Sequence, residues 1–195
     1  MKEQTTKTDT KTLVLGAVLT ALVILLQFMG AFVRFGPFSI SLVLIPIVIG
    51  AATCGVKIGA WLGFVFGVIV LASGDAAAFL AVNVPGTVIT VLLKGTACGF
   101  LAGLTYRALS KFNTYVAVAC AAIVCPVVNT GVFLLGCLVF FMDTIKLWAE
   151  AANVGGSVAY YMIFVLVGAN FLVELASNII LSPVVVRLLN IKNKM

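Results

Sequence analysis

Six apolar runs, at 12–33, 38–53, 56–72, 85–109, 115–142 and 157–189, leave this 195-residue chain almost nothing with which to build a water-facing surface. Hydrophobic residues make up 63% of it and charged residues 9%. A soluble domain of this size cannot hide that much apolar side chain. The runs are also far longer than the roughly ten-residue strands of a membrane barrel. The expected fold is therefore an all-α integral membrane protein, a compact bundle of six transmembrane helices. The second run is short, and Pro46 is expected to break or kink it.

The basic residues read as a topology signal. With the N-terminus inside, Lys2, Lys7, Lys11, Lys57, Arg107, Lys111, Arg187, Lys192 and Lys194 all fall on the cytoplasmic side. Arg34 and Lys146 alone fall outside, and Lys94 lies within a run. That bias satisfies the positive-inside rule and places both termini in the cytoplasm. A polar lead-in (1–11), a membrane domain (12–190) and a short cytoplasmic tail (191–195) follow. The first run is a full span with no small-residue cleavage pattern, so the lead-in is not expected to be a signal peptide.

Inside this apolar frame, Lys94 and Glu174 stand out. Each lies 13 residues before an arginine, Arg107 or Arg187, at the end of its run. A rise of about 1.5 Å per residue puts both roughly 20 Å from the same face, just past the midplane of a core about 30 Å thick. A charge there costs on the order of 2.5–3.5 kcal/mol, so it should meet a partner or a watery cavity. A bridge that merely locks two helices is the competing explanation. Asn170, Glu174 and Asn178 recur every fourth residue and share one helix face. Asn129 follows Pro126, which would loosen its helix. Asp75 reads as the N-cap of a short apolar stretch in the connection 73–84, a candidate lid that also carries Asn83. Lys94, Asn129, Glu174, Asn170, Asn178, Asp75 and Asn83 are thus the candidate solute-binding residues, with helix-to-helix amide bonding as the alternative for each asparagine.

Other chemistries find little support. The chain has no histidine, and its five cysteines follow no zinc or disulfide spacing, so no metal or cofactor is expected. No phosphate-loop lysine motif, no dinucleotide fingerprint and no catalytic constellation occurs, which argues against an enzyme. An ion-coupled secondary transporter or channel using Glu174 and Lys94 remains the alternative class. Gly55, Gly59, Gly63 and Gly67 recur every fourth residue through the third run, and Gly95, Gly99 and Gly103 continue the habit in the fourth, a pattern for close helix packing. Ala17 and Ala21 form a similar small pair on the first run, and spacing alone favours internal packing for them too.

The ordered features resemble the substrate-binding S component of energy-coupling factor (ECF) vitamin transporters. The resemblance rests on Phe35–Pro46 (Phe-Gly-Pro-Phe-Ser-Ile-Ser-Leu-Val-Leu-Ile-Pro), Ile49-Gly50-Ala51, Lys94-Gly95 and Gly99-Phe100-Leu101-Ala102-Gly103, together with the alanine pair. It implies a bacterial plasma-membrane protein that takes up a water-soluble vitamin from outside. Its partners would be a transmembrane coupling protein and two cytoplasmic ATPase subunits, not nucleic acid. Ala17 and Ala21 would then face the coupling protein. The stretch 73–83 and Lys94-Gly95 look most like pantothenate-type members, with riboflavin and folate open. Trp61, Tyr160 and Tyr161 would be the rings available to stack on a larger cargo.

Overall fold

The computed structural model describes residues 10–30, 34–35, 38–39, 42–153 and 157–192. The lead-in up to residue 9 with Lys2 and Lys7, Gly36–Pro37, Gly155–Gly156 and the end of the tail with Lys194 lie outside the described residues. Four helices are long and apolar enough to cross a bilayer: α1 (Thr10–Gly30), α5 (Val84–Leu109), α6 (Thr114–Phe140) and α9 (Gly168–Lys192). Two shorter apolar helices, α2 (Leu44–Cys54) and α3 (Val56–Ala72), stand between the first two of these. The connections carry α4 (Ala77–Leu80), α7 (Met142–Ala151) and a single turn α8 (Val158–Tyr160). A two-residue antiparallel ribbon pairs Arg34–Phe35 (β1) with Phe38–Ser39 (β2).

Two expected runs are drawn differently by the chain. The second is not helical from residue 38: its first residues pair as β2, and the helix begins at Leu44. Pro46 does not break it. It lies in the first turn of α2, where a backbone N–H has no intrahelical acceptor, so its absence costs little. At 11 residues, α2 spans only about 16 Å, half a hydrocarbon core. The sixth run is not one helix either. A wide π turn (Tyr161–Leu166) follows α8, and α9 starts afresh at Gly168. Pro126, by contrast, is accommodated inside an α6 that runs on unbroken.

Local chemistry sets the helix starts. The Asn83 side chain accepts from Gly86 N–H at 3.0 Å with Pro85 in the first turn of α5, and Asn113 accepts from Tyr115 and Val116 N–H at α6. Packing then follows the glycines. α5 is the central helix, against α3 on one side and α6 on the other. A Cβ at Gly63 would strike the Gly95 carbonyl, and one at Gly99 the Gly59 carbonyl, so the two backbones touch along their length. Leu19, Val23, Leu44, Ile47, Leu62 and Phe66 fill the centre of the bundle. A second cluster beneath α4 holds Phe79, Phe133, Phe141, Ile145 and Leu166. Leu25, Leu93, Leu135 and Ile180 lie exposed on the outside, as a lipid solvent allows. Cys98, Cys125 and Cys137 are buried and unbridged, small residues in tight seams.

Candidate functional site

A cavity opens between α1, α3, α5, α6 and α9, roofed by α4. Lys94, Asp75, Asn170 and Glu174 border it, with Gln27, Thr87 and Thr90 as further polar walls. Phe66, Phe79, Phe133 and Phe141 supply the apolar ones. The room open to the centre of a water molecule is about 50 Å³. One water needs roughly 10–15 Å³ on that measure, so the cavity holds a few waters and no larger solute until its walls part.

Lys94 enters from the middle of α5. Its Nζ lies 5.6 Å from the Phe66 ring centroid and 5.4 Å from that of Phe133. Such cation–π contacts are worth about 0.5–2 kcal/mol each and partly replace lost hydration. Among the described residues no carboxylate comes within 4.0 Å of this ammonium, so Lys94 and Glu174 do not form the ion pair that their equal depth allows. Both border the same cavity instead. The cation is seated on two rings at the border of the cavity.

Glu174 is wholly buried and held by amides. Asn170 Nδ2 donates to Oε1 at 3.1 Å and Asn129 Nδ2 to Oε2 at 3.4 Å. Asn178 Nδ2 donates to the Glu174 backbone carbonyl at 2.8 Å. The four-residue spacing thus brings Asn170, Glu174 and Asn178 into one hydrogen-bonded stripe, tied by Asn129 to α6. Among the described residues, the Asn170 and Asn129 Oδ1 atoms are buried without a hydrogen-bond partner, and Thr90 Oγ1 is in the same condition. Buried acceptors are rarely left unserved, and a ligand hydroxyl or N–H would serve them.

The other candidates divide. Asp75 is not the cap of α4; that position belongs to Ala76, with no side-chain capping bond. The Asp75 carboxylate instead accepts from Gln27 Nε2 at 2.5 Å beside the cavity, tying α1 to the segment before α4. Asn129 stands behind the wall and Asn178 stitches its own helix. Asn83 caps α5 and does not border the cavity. Trp61, Tyr160 and Tyr161 do not line it either; the rings are phenylalanines. Gln27 carries the same signal as Lys94, a polar group inside an apolar run. Thr87 and Thr90 carry none, since threonine is unremarkable in a membrane helix.

On α1, Gly16, Leu19, Val23 and Gln27 are buried, while Ala17 and Ala21 lie exposed on another face. The α1–α3 contact is made by Gly16 near Ile58 and by Trp61 Nε1 donating to Thr20 Oγ1 at 3.3 Å. The alanine pair is therefore free of the internal packing that its spacing favours.

The family model described as "ECF transporter, substrate-specific component" matches residues 11–186, and the chain belongs to that family. No curated protein and no solved structure matches it. Members are transport subunits, not enzymes. They bind a small-molecule substrate and associate with the energy-coupling module, which makes this chain a multi-pass membrane protein with that division of labour.

Proposed function

We propose that this S component captures a water-soluble vitamin, pantothenate in the first instance, in the cavity beneath α4. The observation that carries this reading is the Lys94 ammonium, seated on two rings and bordering the same cavity as Thr90 and Asn170, whose side-chain oxygens are buried and unserved. A solute with a carboxylate for Lys94 and hydroxyl or N–H donors for Thr90, Asn170 and Glu174 completes both halves. Pantothenate has that inventory, and its small size suits phenylalanine walls. Riboflavin and folate are the other cargoes the scaffold would take. Asn129 acts here as a positioning residue, holding Glu174 from behind.

In the same reading the six apolar helices are six membrane segments with both termini cytoplasmic in a bacterial plasma membrane. The cavity then opens outward beneath α4, the lid. Ala17 and Ala21 form the docking patch for the transmembrane coupling protein, which links the chain to two ATPase subunits. Their exposure supports this, because a small flat patch lets a partner backbone come close.

The test is a vitamin panel, pantothenate first, titrated calorimetrically into the purified chain. Tight binding of one vitamin by the isolated protein is expected. No binding by a folded sample, together with uptake that collapses with the proton gradient and needs no ATPase, would return the chain to an ion-coupled carrier.

A further inference from the structure

The far end of the bundle holds a second, larger cavity of about 430 Å³, which nothing in solute capture uses. It lies between the end of α2, the start of α3 and the end of α5. Arg107 on its rim is 20 residues along α5 from Thr87 in the first cavity, about 30 Å away. It therefore sits at the opposite face of the hydrocarbon core, independent of which vitamin fills the other.

Its lining is divided by character. Ala51, Ala52, Val56 and Gly103 make an apolar floor, and Lys57, Arg107 and Ser110 border the cavity with them. Lys57 and Arg107 are exposed at the rim, and among the described residues neither makes an ion pair. No acidic residue occurs anywhere in α2, α3 or α5. The first turn of α3 faces the same space. Its N-cap is Gly55, at φ +93°, which offers no side chain, so the leading N–H groups of a 17-residue helix are left for an outside acceptor.

We propose that this cavity binds the phosphate headgroup of an anionic membrane phospholipid. The phosphate meets Lys57, Arg107 and the open turn of α3, while the glycerol and upper acyl carbons lie on the apolar floor. A free phosphate ion would satisfy the cations but not the floor. The amphiphilic lining and its place at the membrane edge favour the lipid.

The experiment uses the full chain in detergent, with phosphatidylglycerol, phosphatidylcholine or inorganic phosphate added and bound species counted by native mass spectrometry. One phosphatidylglycerol should bind in preference to phosphatidylcholine. The K57Q/R107Q variant should lose that preference by roughly tenfold or more, at about 1 kcal/mol per basic residue. K57R/R107K should keep it, and vitamin affinity in all variants should be unchanged, which separates this site from the outer one. Equal binding of both lipids, or phosphatidylglycerol binding that survives K57Q/R107Q, overturns the proposal. So does occupancy by inorganic phosphate with no gain from the lipid. Weakened assembly with the coupling module in K57Q/R107Q, without any lipid preference in the parent, would assign the rim to an acidic protein surface instead.

Discussion

Trp148 offers the cleanest test of a lid, because it touches the lid without touching the cavity. Among the described residues, the α4 residue Phe79 packs edge-on against Phe133 at 5.4 Å and 85°, Phe141 at 5.1 Å and 80°, and Trp148 at 5.4 Å and 76°. Phe133 and Phe141 also line the cavity, so changing either would confuse lid loss with lost solute contact. Trp148, on α7, does not. An aromatic pair of this geometry is worth about 0.5–1.5 kcal/mol beyond area burial. If Phe79 must be down on the bound solute, Trp148→Ala should raise the dissociation rate of pantothenate by roughly twofold to tenfold. Association, which needs the lid up, should be unchanged or slightly faster. Trp148→Phe should restore most of the effect. The assay is chase of radiolabelled pantothenate from the purified chain. An unchanged off-rate, or affinity lost entirely through slower association, would refute the latch.

Four further outcomes follow from the geometry. Lys94→Ala should abolish solute binding, measured calorimetrically, while assembly with the coupling protein persists; retained affinity would remove Lys94 from the site. Glu174→Gln turns one carboxylate oxygen into an N–H facing an asparagine N–H, which leaves buried donors unserved at a cost of about 1–3 kcal/mol. A lower melting temperature in detergent, with no matching loss in Asp75→Asn, checks it. Ala17→Leu with Ala21→Leu should block co-purification with the coupling module and spare vitamin binding. Gly99→Ala drives a Cβ into the Gly59 carbonyl and should destabilise the chain by about 1–3 kcal/mol, read as loss of thermal stability, whereas Gly131→Ala, with open space at its Cβ, should not.

What the residues disclose in order depends on how far each acts along the chain. The long apolar runs, the glycine seam and the Asn170–Glu174–Asn178 stripe are local patterns with a fixed period, and they fold as that period requires. Lys94 is disclosed by cost alone, since a buried cation must face something. Its partners are not: two phenylalanines from α3 and α6 are indistinguishable in sequence from any lipid-facing ring. Asp75 shows the limit of a local rule. A carboxylate beside a short helix suggests a cap, but the Gln27 amide, a donor 48 residues away, holds it instead. Thr90 becomes a candidate only when its hydroxyl is found buried and unserved.

The distribution of stiffness also has a functional reading. α5 carries Thr87, Thr90 and Lys94 at one cavity, packs on α3 through Gly95 and Gly99, and bears Arg107 in its last turn beside the other. Backbones in contact along that seam cannot slide without a clash, so the pocket walls on α3 and α5 move as one body. Compliance is left to the short segments, α4 and α7, and to the π turn before α9, whose wider winding and restart at Gly168 interrupt the sixth apolar run. In the proposed reading, a cavity that holds only a few waters would admit its solute by lifting α4 rather than by parting the central helices. Exchange with the other side of the membrane would then have to come from movement of the whole bundle.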